Sequence, residues 1–122
     1  MHNESNRPRR VAELVKRELA GLIQHDLTDP RCHGVTLTGA EVSPDLSTAK
    51  IYFTTLAGTR SATQSAAALN KAARFLRRRL MSRLALRGVP QLQFLYDESI
   101  EKGITLSRLI DRAVAEDEHS DR

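Results

Sequence analysis

The residues whose chemistry is easiest to interpret are basic side chains that recur in the middle of the chain. Lys71, Arg74 and Arg78 are spaced by three and four, so they share one face of a helix. Four more arginines flank or extend this face: Arg77, Arg79, Arg83 and Arg87. Because a guanidinium group can donate to two phosphate oxygens at once, this pattern predicts a surface that binds a nucleic-acid backbone. Binding of that kind weakens steeply as salt increases.

The distribution of charge favours the same interpretation. Residues 1–96 carry 15 Lys and Arg against 7 Asp and Glu, whereas residues 97–122 carry 4 against 8. No acidic residue lies between Asp45 and Asp97, although a solvated helix face ordinarily mixes both signs. The predicted RNA-binding residues therefore also include bases outside the central segment: Arg9, Arg10, Lys16, Arg17 and Lys50.

Other chemistries find little support in the residues. No two of the six glycines are three positions apart, so the GXXG loop of ordinary KH domains, the P-loop and the dinucleotide fingerprint are all absent. His25, Cys32 and His33 match no zinc-site spacing. The carboxylates near residues 26–29 and 97–101 suit a helix end and a turn. We therefore expect no cofactor, no metal ion and no catalytic site.

The first predicted element is a helix that carries four of these bases. Apolar residues recur at helical spacing from Val11 to Ile23, which predicts a helix over about residues 9–27. Asp29-Pro30 ends it, because a residue before proline avoids the helical conformation. Residues 1–6 are expected to form a flexible leader.

A β-hairpin is predicted next, from β-prone segments over residues 35–42 and 48–57 with turn-forming residues between them. Alternation places Ile51 and Phe53 on the sheet face opposite Tyr52. Tyr52 could stack on a base, although such a tyrosine is more often a half-buried strand residue. Since the chain also has no paired aromatic platform, we expect RNA recognition by shape and phosphate rather than by base sequence.

The central basic segment is predicted to be helical over about residues 62–87. Ser61 and Gln64 resemble a capping box at its start. On a straight helix Phe75 would lie about 100° from the apolar stripe of this segment. That displacement predicts a break near residues 72–75, giving two helices in place of one.

The remaining segments complete an α+β arrangement. Residues 91–96 alternate as a third strand, and apolar spacing beyond Gly103 predicts a short amphipathic helix. The order α-β-β-α(kinked)-β-α predicts a three-stranded sheet with helices on one face. That order matches the type II KH topology, an RNA-binding architecture. We predict one KH-like domain over residues 7–114 and an acidic, disordered tail over residues 115–122.

A series of short stretches is specific as a set, through its order and spacing, although each stretch is weak alone. They are Arg7-Pro8, Arg10-Val11-Ala12, Asp29-Pro30-Arg31, Val42-Ser43-Pro44-Asp45-Leu46, Ala49-Lys50-Ile51-Tyr52, Phe75-Leu76-Arg77, Leu86-Arg87, Val89-Pro90, Phe94, Tyr96-Asp97, Ser99-Ile100-Glu101 and Gly103. This set resembles the ribosome-binding factor A family over about residues 7–110. Many members have Ala-x-Gly where this chain has Ala72-Ala73-Arg74, so we expect a milder helix break with one more positive charge.

The resemblance implies a type II KH fold without a GXXG loop, in a ribosome maturation factor that is not an enzyme. Such a factor would bind the small ribosomal subunit, free or immature, late in assembly. It would contact the rRNA and support 5′-end maturation of that RNA, including growth in the cold. The alternatives are a generic KH-like RNA-binding module acting outside ribosome assembly and a module whose basic helix meets an acidic protein.

The composition sets the expected location and state. The 122 residues suit one domain, and 40% apolar with 28% charged residues suits a globular chain. No apolar run is long enough to span a membrane, and the N-terminal residues do not resemble a targeting signal. We therefore expect a cytoplasmic protein with no membrane partner. We also expect a monomer, because no large exposed apolar stripe is evident in the sequence.

Overall fold

The computed structural model describes residues 2–86 and 88–120. Within these residues the helices are α1 (His2–Asp26), α2 (Ala62–Lys71), α3 (Ala73–Arg83) and α4 (Ser99–Ser120). The strands are β1 (Val35–Val42), β2 (Thr48–Thr55) and β3 (Gln91–Tyr96). Two short 3₁₀ helices, Pro30–Cys32 and Gly58–Ser61, precede β1 and α2. None of the helices in this part of the chain is long and apolar enough to cross a membrane.

The three strands form one mixed sheet in the order β1-β2-β3. β1 and β2 are antiparallel, which confirms the predicted hairpin, and β2 ends at Thr55, two residues earlier than predicted. β3 runs parallel to β2. Because parallel neighbours need a crossover, α2 and α3 connect them across one face of the sheet. The bounds of β1 and β3 are those predicted, from β-prone residues for β1 and from alternation for β3.

The core lies between that face and the helices α1, α2 and α3. Ile51 and Phe53 of β2 are fully buried, whereas Tyr52 points to the opposite face. The helices contribute buried leucines to the same cluster: Leu19 and Leu22 from α1, Leu69 from α2, and Leu76 and Leu80 from α3. The prediction of an α+β domain with helices packed on one face is confirmed for these three helices.

The predicted break in the basic segment is confirmed at Ala72, which separates α2 from α3 with φ −85° and ψ −1°. The break lets Leu69 and Leu76 both point into the core, with Phe75 half-buried beside them. The predicted capping box is wrong. Ser61 makes no side-chain capping bond, because its hydroxyl lies 2.8 Å from the hydroxyl of Thr55 instead.

Two helices are longer than their apolar patterns predicted. α1 is helical from His2, through most of the predicted leader, and ends at Asp26. α4 begins before Gly103 and continues through Ser120, so most of the predicted disordered tail is helical. Apolar spacing marks a helix only where apolar residues recur along one side of it, and these extensions are rich in polar residues. Their limits therefore left no periodic signal in the sequence.

α4 departs from the predicted packing, because its described apolar side chains do not join the core under the sheet. Leu106, Leu109, Ile110 and Val114 are each more than half exposed, at 52–58%. The expectation of a monomer was based on the absence of an exposed apolar stripe, and that premise is wrong for α4. The oligomeric state itself stays a prediction.

Candidate nucleic-acid interface

The outward side of α3 carries the two bases that are most available to a ligand. Leu76 and Leu80 turn one side of α3 into the core, which leaves Arg74 and Arg78 exposed on the opposite side. Within the described residues, neither guanidinium has a hydrogen bond or an ion pair. Their donors can therefore be used on phosphate oxygens without breaking any contact shown in the fold.

Arg79 and Arg83 lie on the side of α3 that faces α1. Nε of Arg79 is 3.7 Å from Oδ2 of Asp26, and its guanidinium lies 5.3 Å from the ring centroid of Phe75. Nη1 of Arg83 is 3.6 Å from Oε2 of Glu18. Both arginine side chains stay about half exposed, at 55% and 51%, so these ion pairs are weak and could be shared with a phosphate. The pairs hold α3 beside α1.

α1 adds further bases to the same side of the molecule. Arg10 and Arg17 are seven residues apart, which is about two helical turns, and both are exposed on the side of α1 away from the sheet. α1 and α3 are neighbours, linked by the ion pairs of Arg79 and Arg83, so the exposed arginines of both helices lie on the same side of the molecule. We call this surface the basic helix face and define it by these residues: Arg10, Arg17, Arg74, Arg78, Arg79 and Arg83.

Other predicted RNA-binding residues lie at the margins of this surface. Arg9 is exposed on α1, and Lys16 is half-buried beside β1, where it lines a small cavity with Leu37. Lys71 is exposed at the end of α2, and its charge reaches Asp29. The hydrogen bonds from Arg31 are the main cause that lowers the pKa of Asp29 to about 2, and Lys71 adds a smaller effect.

Arg77 has a structural contact that its sequence pattern did not reveal. It is half-buried, and its Nε donates to the carbonyl of Val89 at 2.9 Å. This bond ties α3 to the segment that leads into β3. Asn70 makes a similar tie from α2, since its side-chain amide pairs with both the N–H (2.9 Å) and the carbonyl (3.1 Å) of Phe94. A lone Asn in a helix gives no sequence signal for such a role.

Lys50 is separated from the other predicted bases. It lies on β2 opposite Glu41 of β1, on the sheet face that the three core helices leave open. The sequence grouped it with the helical arginines, but strand alternation places it on the other side of the sheet. Tyr52 shares that open face, with its hydroxyl 3.4 Å from Oε2 of Glu41. Burial and the neighbouring Glu41 carboxylate raise the pKa of Tyr52. Arg87 lies outside the described residues.

Metal and nucleophile chemistry find no support in the part of the chain that the structure describes. No group of three or more His, Cys, Asp and Glu side chains there could hold a metal ion. Cys32 is buried, and that burial raises the pKa of its thiol. A raised pKa disfavours the thiolate, which is the form that attacks substrates and binds metals.

The sheet has the order β1-β2-β3, three helices pack on one of its faces, and the central helix is broken. Together with the absence of a GXXG sequence, these features define a type II KH-like domain with a basic outer surface. The family model of ribosome-binding factor A matches residues 7–110 of this chain. The chain belongs to the ribosome-binding factor A family, which confirms the resemblance found in the sequence.

Individual relatives agree with this assignment. The ribosome-binding factor A of Nitrosomonas eutropha is 52% identical over 114 residues, which cover 93% of this chain and 97% of that protein. The crystal structure of ribosome-binding factor A from Thermus thermophilus has a TM-score of 0.64 and 30% identity, and covers 73% of this chain and 94% of that chain. A homology model of the Thermus thermophilus factor, fitted into a cryo-EM map of a 30S complex, has a TM-score of 0.60 and 32% identity. It covers 71% of this chain and 91% of its own.

Proposed function

We propose that this protein is a maturation factor that binds the small ribosomal subunit late in assembly. In this proposal the basic helix face contacts the phosphate backbone of the rRNA. The factor supports 5′-end maturation of that RNA, including in the cold, and acts in the cytoplasm without a cofactor or a catalytic step. The observation that carries the proposal is the pair Arg74 and Arg78, exposed on a fold whose Thermus thermophilus relative has been fitted into a 30S complex.

The geometry favours binding to folded RNA rather than reading of a single strand. A GXXG loop would clamp the backbone of an extended strand, and the sequence has none. Tyr52, the candidate for base stacking, is half-buried beside Glu41 on the face away from the basic helices. What remains is a rigid surface of guanidinium groups spread over two helices. Such a surface fits phosphates whose positions are fixed by rRNA tertiary structure.

The proposal is tested by co-sedimentation of the full chain with mature small subunits and with immature ones from cells that lack the factor, at low and moderate salt. We expect salt-sensitive binding that is stronger to immature subunits. Arg74→Glu combined with Arg78→Glu should weaken it strongly. The matched control is Arg108→Glu with Arg112→Glu, which makes the same charge change at exposed positions of α4.

The outcomes separate the alternatives. Equal binding to unrelated structured RNAs would replace the proposal with a generic RNA-binding module. Unchanged binding by the folded α3 double variant would remove the basic helix face as the contact. The processing role needs a separate measurement, because binding alone does not produce it. Primer extension of small-subunit rRNA should show precursor 5′ ends in cells that lack the factor and grow at low temperature. Expression of the wild-type gene in these cells should remove the precursor ends, whereas expression of the α3 double variant should not.

A further inference from the structure

The two outer edges of the sheet differ in their hydrogen bonding within the described structure. At the β3 edge, the Asn70 side chain occupies both backbone groups of Phe94. β1 pairs only with β2 in this part of the chain, and no described side chain hydrogen-bonds its outer edge. An edge strand of this kind presents unpaired N–H and C=O groups that another chain can use.

A groove runs beside the open edge of β1. Its larger part is a cavity of about 610 Å³ between the second half of α1 and β1. Apolar side chains form much of the wall: Ile23, Cys32, Val35, Leu37 and Leu56. A smaller cavity of about 220 Å³ continues from Ala20 and Leu37, which line both cavities, to Lys16 and Arg17. We call the two cavities together the β1 groove.

The two ends of the β1 groove differ in chemistry. Lys16 and Arg17 lie at one end with Glu13 as the acidic residue in the lining, so that end is positive. Neither base is held by an ion pair within the described residues. At the other end Leu56 stands 94% exposed at the margin of the larger cavity. An apolar pocket and a positive end, set beside a free strand edge, match the requirements of a particular ligand.

We propose that the β1 groove binds an extended acidic peptide segment of a partner protein, which pairs with β1 as a fourth strand. Main-chain hydrogen bonds to the strand edge supply affinity, and side-chain pockets supply specificity. One aliphatic side chain fills the larger cavity, and acidic side chains lie against Lys16 and Arg17. In an antiparallel arrangement the acids precede the aliphatic residue in the peptide. The site shares Arg17 with the basic helix face and is otherwise separate from it.

A peptide fits this groove better than RNA does. The N–H and C=O groups of β1, which repeat regularly on either side of a bulge between Leu37 and Gly39, match another polypeptide, whereas an RNA backbone has no donors at that spacing. Apolar side chains also form much of the wall of the larger cavity, which favours an aliphatic side chain over a phosphate there. Lys16 and Arg17 were predicted as RNA ligands; this proposal assigns Lys16 to the peptide, and Arg17 lies where the groove meets the basic helix face.

The test uses the full chain and a fluorescein-labelled synthetic peptide, acetyl-DEVTVTV-amide, followed by fluorescence polarisation. Ala20→Phe fills the groove from an exposed position, so the fold should persist. Its matched control is Ala67→Phe at an exposed position of α2. We expect Ala20→Phe and Lys16→Glu each to weaken peptide binding at least tenfold, and Ala67→Phe to leave it unchanged. A peptide N-methylated at alternate amides should also bind at least tenfold more weakly.

Several results would overturn the proposal. These are no saturable binding up to millimolar peptide, equal binding by folded Ala20→Phe, or equal binding of the N-methylated peptide. Displacement of the peptide by an unstructured RNA oligonucleotide, with Ala20→Phe blocking both, would assign the groove to RNA. A concentration-dependent dimer that Ala20→Phe abolishes would assign the open edge to a second copy of this chain. The Arg74→Glu, Arg78→Glu double variant should lose subunit binding and still bind the peptide. The proposed function and the peptide site can therefore fail separately.

Discussion

Replacing Arg74 and Arg78 together with glutamine should weaken RNA binding without weakening the fold. Both side chains are exposed on α3, and within the described residues they make no hydrogen bond or ion pair. Their removal therefore leaves no buried partner unsatisfied. Surface substitutions of this kind usually change the free energy of unfolding by less than about 0.5 kcal/mol. The double variant should melt at the wild-type temperature to within a few degrees.

The loss of affinity can be calculated from counterion release. The logarithm of the association constant K falls linearly with the logarithm of salt concentration. Each lost phosphate contact reduces the steepness of that fall by about 0.7 to 0.9, so two lost contacts reduce it by about 1.6. Since this contribution vanishes near 1 M salt, a slope change of about 1.6 corresponds to roughly twentyfold weaker binding at about 0.15 M. In free energy the same loss is about 1.8 kcal/mol.

The assay is equilibrium binding of the labelled protein to small subunits, at four or five salt concentrations between about 0.05 and 0.3 M. Arg108→Gln with Arg112→Gln on α4 is the matched control, because it removes the same charge from exposed positions outside the basic helix face. A slope within about 0.3 of wild type in a folded α3 variant would refute the reasoning. An equal loss of slope in the α4 control would show that net charge, and not this face, determines binding.

Three further predictions concern the fold that positions the basic helix face. Asn70→Ala removes both bonds to Phe94 and should lower the free energy of unfolding by about 1–2 kcal/mol in urea titrations, while the exposed control Gln64→Ala should not. Hydrogen bonds from Ser99 and Thr38 lower the pKa of Asp97 in the folded protein. The ionised Asp97 carboxylate therefore stabilises the fold at pH values above its pKa in the unfolded chain, and this stabilisation is lost as the pH falls through the lower pKa of the folded state. Stability of Asp97→Asn should therefore depend less on pH between about 5 and 3 than wild type, and an unchanged pH profile would contradict this. Truncation after Lys102 should shift the melting temperature by less than about 3 °C, because no later described residue belongs to the core; a larger fall would contradict the packing seen here.

The local patterns of the sequence predicted most of the core domain. β-prone residues over 35–42 indicated the bounds of β1. Alternation over residues 91–96 indicated those of β3, because side chains of a strand point to opposite faces in turn. The displaced Phe75 indicated the helix break, since one straight helix could not bury it with the leucines around it. The last two patterns involve residues that are close together in the sequence. They can be recognised there because residues that are buried together in one strand or helix recur at the spacing of that element.

The limits of α1 and α4 were not predictable in the same way. Polar residues can extend a helix into solvent without adding to its buried stripe, so the apolar pattern ends before the helix does. For α4, spacing beyond Gly103 correctly indicated an amphipathic helix, but it was expected to pack under the sheet. Spacing shows that an apolar face exists and does not show what covers it.

The sequence by itself determined that the chain is a basic α+β domain of the ribosome-binding factor A family with a broken, arginine-rich helix. Only the tertiary structure decided which bases lie near one another and which are separated. It placed Arg79 and Arg83 against α1, left Arg74 and Arg78 exposed on α3, tied Arg77 to Val89, and put Lys50 on the opposite sheet face. Within the described residues it also left β1 without a partner on its outer edge, whereas Asn70 hydrogen-bonds to Phe94 at the outer edge of β3. The physical reason is that charge and periodicity are properties of neighbouring residues, whereas a surface and a strand edge are made by segments that meet only after folding.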